Sequence, residues 1–370
     1  MNTHAVDLLI ESHLDFTFPA AQIAIYHAGK LAHTRVFGWM DPTTRRDPIT
    51  QATRFDLASV SKLFVVAAFM TLVEEGKVSL DTPVREALPA FDGPRPIKPY
   101  PHPLKPGEFV EVVPITAQMV EAGAITFRQL LTHTSGLPAW LPLWKMDTDI
   151  AGRRETALTC DFAYPPGTRV VYSDIGLILV GFALEALTGL SLREVVRQRV
   201  TAPLGLASIA YGPISPSMAA PTEVYAHQPA RMHGEVHDEN AWALGGASGH
   251  AGLFGNVADV AAFGEAMRTA TFLRPETVRE MTRIQAQDGA VRRGIGFALW
   301  SPAPESPNYP LSPLTFGHTG FTGTSVWVDP LRELTVACLT NHVYYGRGSL
   351  ERLPTFRTGL HRLVAEIIAI

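Results

Sequence analysis

Cysteine is nearly absent from this 370-residue chain: Cys160 and Cys338, far apart in sequence, are the whole complement. Such a pair makes neither a disulfide framework nor a zinc or redox spacing. Buried free thiols are the expectation, with one long-range disulfide as the alternative. Basic stripes are absent as well. The formal net charge is −4, charged residues make up 18%, and no Lys/Arg run is interleaved with aromatics, so nucleic acid is not an expected partner. No uninterrupted apolar run is long enough to span a membrane. The greasiest stretch, VYSDIGLILVGFALEALTGL, is broken by Asp174 and Glu185 and reads as a buried helix, so no membrane partner is expected either. The N-terminal MNTHAVDLLIESHLDFTF lacks a basic start, a continuous apolar core and a small-residue cleavage site, unlike a secretory signal. Cytoplasm is the expected location, or the periplasm or exterior if a leader has been lost. Internal repeats and coiled-coil heptads are missing, and no pattern specifies an oligomeric partner.

A 46% hydrophobic fraction is ample for a globular core at this length. AAQIAIYHAGKLAHTRVFGW reads as two strands around a turn at His27 to Lys30. SKLFVVAAFMTLVEEG has a helix period and stops at Gly76. Residues 90–120 are rich in proline, with PYPHPLKPGEF at the centre, and predict a long surface excursion over the cleft, over the sheet or onto a partner. Beyond about residue 240 the segments GIGFALW, LTFGHTG, TGTSVWVDP and ELTVACLTNHVYY read as strands, before the amphipathic helix LPTFRTGLHRLVAEIIA. The pattern predicts an α/β (α+β) fold: an antiparallel sheet flanked by helices and built from both termini. Residues 1–80 and 241–370 would form this domain, with a mainly helical insertion over 81–240 and a cleft at the join.

Four segments carry candidate chemistry. Ser59-Val60-Ser61-Lys62 places two hydroxyls beside a lysine at a helix start, with Ser59 and Lys62 three apart on one face. A serine needs a partner to take its proton, and a neutral lysine can do so; an ordinary N-cap serine beside a surface lysine is the bland reading. Tyr172-Ser173-Asp174 follows Pro-Pro-Gly-Thr. A phenol near a cationic lysine loses its proton more easily and can relay one to a leaving group, while Asp174 could hold Lys62 or a polar substrate group. Gly317-His318-Thr319-Gly320-Phe321 ends a strand pattern; the Phe321 N–H pairs with that of Ser59 as a candidate oxyanion hole. Lastly, His233, His237, Asp238 and His250 invite a metal reading, but their spacing fits no zinc motif. Internal hydrogen bonding or contact with substrate, also for Asn240, is the expectation there. Trp140, Trp144, Trp242 and Phe321 are candidates for an apolar wall.

In this order the segments resemble the serine beta-lactamase and penicillin-binding protein superfamily. The likeness is to the class C beta-lactamase branch, with its D-alanyl-D-alanine peptidases and family VIII type esterases. FDLASVSK matches the nucleophile segment, LLTHTSGLP a structural landmark of the branch, YSD its tyrosine-x-asparagine element, and HTG the place of lysine-threonine-glycine. The resemblance implies a Ser59 acyl-enzyme, with Lys62 and Tyr172 as proton carriers and Asp174, His318, Thr319 and Gly320 supporting substrate. It implies no metal and no cofactor, and a small ester, amide or lactam as substrate. Asp174 stands where asparagine is usual and His318 where lysine is usual. A neutral histidine holds an anionic substrate less strongly, so esters and less anionic substrates come ahead of beta-lactams. A catalytically weak binding or sensing protein is the competing class.

Overall fold

A computed structural model describes residues 3–112, 119–225, 230–347 and 351–368. Its centre is an eight-stranded, wholly antiparallel sheet. In spatial order its strands are Ala286–Asp288, Val291–Arg293, Ala298–Leu299, Phe316–Thr319, Ser325–Asp329, Leu334–Thr340, Ala20–His27 and Lys30–Gly38. The expected antiparallel sheet flanked by helices is therefore present. The N- and C-terminal parts of the chain meet inside the sheet, between its sixth and seventh strands, where Ala21 faces Thr340 and His27 faces Leu334. The first hairpin closes on Ala28 and Gly29, both at positive φ (49° and 78°), the backbone a tight hairpin turn requires.

Alternation along the strands sorts side chains into two cores. Ala20, Ala24, Val326, Val328, Ala337 and Leu339 face the large core shared with the helix Ser61–Glu74. Ile23, Ile25, Trp327, Val336 and Cys338 face a second core closed by the terminal helices His4–His13 and Arg352–Ile368. Gly317 makes room for this packing, because a Cβ there would lie 2.6 Å from the Trp327 ring. The helix expected from SKLFVVAAFMTLVEEG is present as Ser61–Glu74 and is buried on nearly every face, so it is a central core helix.

Residues between about 81 and 240 contribute the helices Phe127–Leu131, Ile150–Thr159, Asp174–Thr188 and Leu192–Val196. The apolar run beginning at Tyr172 forms the buried helix Asp174–Thr188, capped by Ser173 and ended by Gly189 at φ +69°. No single helix among the described residues is long and apolar enough to cross a membrane. The proline-rich excursion folds into short ribbons, Pro94–Pro96 with Met119–Glu121 and Tyr100–Pro101 with Phe109–Val110; residues 113–118 of it lie outside the described residues. Both cysteines are free thiols, Cys338 buried and Cys160 partly so, each pushed up to about 12 by burial.

Candidate active site

The nucleophile segment enters as Phe55–Asp56, paired with Leu253–Gly255. The Asp56 carboxylate then accepts the N–H of Ala58 at 2.8 Å and of His237 at 2.6 Å. These bonds hold Ala58 at φ +45°, a strained conformation for a residue with a Cβ. The sharp corner feeds a 3-10 turn, Ala58–Val60, that presents Ser59 at the head of the central helix. One turn on, Lys62 Nζ donates to Ser59 Oγ at 2.8 Å and to the His250 carbonyl at 2.9 Å. It also pairs with Asp174 Oδ1 at 2.8 Å. The second hydroxyl is spoken for: Ser61 Oγ accepts the Leu253 N–H at 3.1 Å inside the core.

Tyr172 closes the other side, with Lys62 Nζ 5.0 Å from its ring centre. His133, from the LLTHTSGLP segment, positions it. His133 Nδ1 accepts the Ser173 N–H at 3.1 Å, its carbonyl accepts the Val171 N–H at 2.9 Å, and its ring lies 4.7 Å from that of Tyr172. Gly136 lets this loop press on its neighbour, since a Cβ would lie 2.2 Å from the Tyr164 carbonyl oxygen.

Charge in this cluster is set by burial against partners. Burial opposes the Lys62 ammonium, but the Asp174 carboxylate and then Tyr172 outweigh it, and its pKa lies above the ordinary lysine value. Burial also raises the Tyr172 phenol, helped by Asp174 and opposed by Lys62. The expected easing of its deprotonation by Lys62 is therefore outweighed, and Tyr172 rests as a neutral phenol. Burial, then Lys62 and Arg293, pull His318 down to about 3. Its Nδ1 bonds the Thr319 carbonyl at 2.8 Å. A carbonyl only accepts, so Nδ1 carries the proton and the buried, unpartnered Nε2 offers a lone pair. His318 is thus a neutral acceptor.

Two hollows meet at Ser59 and Tyr172. The larger, about 740 Å³, runs past His318, Arg292, Arg293 and Arg357. The smaller, about 160 Å³, is walled by Trp140, Phe321, Asp174, Asp238 and Glu239. Leu104 of the proline-rich excursion lines both, so of its three expected roles this part takes the cleft. Trp144 and Trp242 line a separate small cavity. The histidines of the metal reading are engaged internally: His237 with Glu223 at 2.7 Å, His250 with Asp238 and Ser248 at 2.8 Å each, and His233 with the Ala219 carbonyl at 2.8 Å. Asn240 bonds the Leu141 carbonyl and the Trp144 N–H. Asp174, Asp238 and His250 could gather ligand atoms about one cation, but the Lys62 ammonium already pairs with Asp174.

Sequence reasoning missed three residues here. His133 lies inside a quoted landmark without an assigned role. Arg293, 5.3 Å from the Tyr172 ring centre, is half of an Arg-Arg pair in an otherwise uncharged strand segment. Arg357 shares a helix face with Leu353, Leu360 and Val364, all buried; a charge at a core-facing position was the available signal.

A serine bonded to a buried lysine, beside a tyrosine and at the end of the interior strand Phe316–Thr319, defines the chain as a serine hydrolase of the beta-lactamase fold. The family model described as Beta-lactamase matches residues 6–354, and the chain belongs to that family. A putative D-alanyl-D-alanine carboxypeptidase of Salmonella heidelberg is 27% identical, over 91% of this chain and 82% of its own length. Among solved structures, EstCE1, a hydrolase with promiscuous acyltransferase activity, superposes with a TM-score of 0.75 at 22% identity, covering 96% of this chain and 97% of its own. The octameric penicillin-binding protein homologue from Pyrococcus abyssi gives 0.71 at 20% identity, covering 100% and 78%.

Proposed function

We propose that the protein hydrolyses small carboxylic esters or D-amino-acid-containing amides through an acyl-enzyme on Ser59. The observation that carries this is the 2.8 Å bond from Lys62 Nζ to Ser59 Oγ, at the junction of two hollows that can hold the two halves of a substrate. The reactive species is the minor form in which Lys62 is neutral. Lys62 then takes the Ser59 proton as Oγ attacks the carbonyl, and the Ser59 and Phe321 N–H groups receive the oxyanion. Tyr172, a neutral phenol, gives its proton to the departing oxygen or nitrogen. Water then attacks the acyl-serine, losing a proton to the Tyr172 oxygen while Ser59 recovers one from Lys62. Ser59→Ala tests this: ester turnover should vanish, and retained turnover sinks Ser59 as the nucleophile.

A second reading, a carboxypeptidase for D-alanyl peptides, is favoured by Arg293. Its guanidinium lines the wall where His318 stands neutral and restores the hold on a carboxylate that a histidine forgoes. Rates on a p-nitrophenyl ester, a D-alanyl dipeptide and a chromogenic cephalosporin, measured in parallel, rank ester, peptide and lactam.

A further inference from the structure

The Ser59 chemistry leaves unexplained a cation that reaches it from the far end of the chain. Arg357 sits on the inner face of the closing helix, 8% exposed, and no ion pair satisfies it among the described residues. Its Nη2 donates to the carbonyls of Thr324 at 2.7 Å and Gly320 at 3.2 Å, while Nε is buried without a partner. Burial pulls its pKa down to about 10, so it still carries its charge at neutral pH. A buried charge without a counter-ion is costly, and an apolar side chain would pack against Leu353 and Leu360 without that penalty.

The bonded carbonyls explain why the cation is there. Gly320 C=O and Phe321 N–H are the two ends of one peptide group. That N–H has no acceptor among the described residues and is the candidate second oxyanion donor. A cation on the oxygen of an amide draws density from its nitrogen and makes the N–H a stronger donor. The turn is otherwise fixed. Thr322 and Thr324 hydroxyls donate to the Asp56 and Leu57 carbonyls at 2.7 and 2.9 Å, Thr340 to Gly323 at 3.0 Å, and Gly320 N–H to Thr324 at 2.7 Å. Tethering alone does not require Arg357.

We propose that Arg357 is a positioning residue that polarises the Gly320–Phe321 peptide and so strengthens the oxyanion hole at Ser59. The inference rests on the Ser59 acyl-enzyme reading. Arg357→Lys, which keeps a cation, and Arg357→Met, which does not, are compared with wild type after thermal melts establish that both fold. Arg357→Met should lose about tenfold in kcat, less than the hundredfold or more that follows removal of a whole donor, with KM little changed. Its affinity for an aryl boronic acid, whose tetrahedral adduct mimics the oxyanion, should fall by the same factor. The rate advantage of an oxoester over its thionoester should shrink in step, because sulfur uses the hole poorly. Arg357→Lys should fall between Met and wild type. Unchanged kcat and boronate affinity in Arg357→Met overturn the proposal, as does a rise in KM alone. If Arg357→Met does not fold, the neutral Arg357→Gln takes its place, and a folded Arg357→Gln with unchanged kcat and boronate affinity overturns it equally. Fluorophosphonate labelling of Ser59 in each protein tests the underlying acyl-enzyme reading separately.

Discussion

Replacing Asp174 with asparagine should make this enzyme faster at neutral pH. The carboxylate lies 2.8 Å from Lys62 Nζ and helps to raise its pKa, which keeps the lysine protonated when a base is needed. At that distance and an effective dielectric of about 20, the attraction is about 6 kcal/mol before screening. Asp174 leaves 19% of its side chain in solvent, and an asparagine oxygen can still accept from Lys62, so about 2 kcal/mol is a working net change. That is roughly thirtyfold in the population of neutral Lys62. The assay is kcat/KM for a p-nitrophenyl ester across the pH range from about 5 to about 10. The rising limb, set by loss of the Lys62 proton, should move to lower pH in Asp174→Asn, with the neutral-pH rate up by on the order of tenfold or more. An unmoved limb, or a fall at pH 7 with the fold intact, would refute Lys62 as the base that Asp174 restrains.

Ser61→Ala should keep turnover and lose about 1 kcal/mol of stability, since among the described residues its hydroxyl bonds the Leu253 N–H alone; loss of activity in the folded variant would contradict the choice of Ser59. Arg293→Met should raise KM for a D-alanyl dipeptide about tenfold or more and barely alter it for a neutral ester; equal effects on both would remove Arg293 from anion binding. Burial holds His133, His318 and His361 below the free imidazole value, His318 at about 3 and His361 at about 4. The unfolded chain therefore takes up their protons first, so this stability is complete above about pH 6.5 and is lost as pH falls, by up to about 1.4 kcal/mol per pH unit for each. Urea midpoints at pH 7 and pH 5 check it, and an unchanged midpoint contradicts it.

Much of the site was legible because it is local. Ser59 and Lys62 meet through helical spacing, and Tyr172 and Asp174 flank a cap. The strands alternated clearly enough for an antiparallel sheet. The unreadable parts are long-range. That His250 gives Lys62 a carbonyl, that Asp56 holds the corner before Ser59, and that Arg293 lines the same hollow as His318 depend on how distant segments dock. No spacing rule encodes such contacts. The helix over residues 61–74 was legible from its period, but its enclosure on nearly every face depends on what packs around it.

The pairing of Ala20–His27 with Leu334–Thr340 puts an order in time on the molecule. On the ribosome the first hairpin emerges with one edge unpaired, and its native neighbour comes almost a whole chain later. Contacts so distant in sequence make the central sheet slow to form. Arg357 comes later still, so the Gly320–Phe321 turn gains its last carbonyl contacts only after residue 357 has been made. Until then a nascent chain carries Ser59 without a working hydrolase around it.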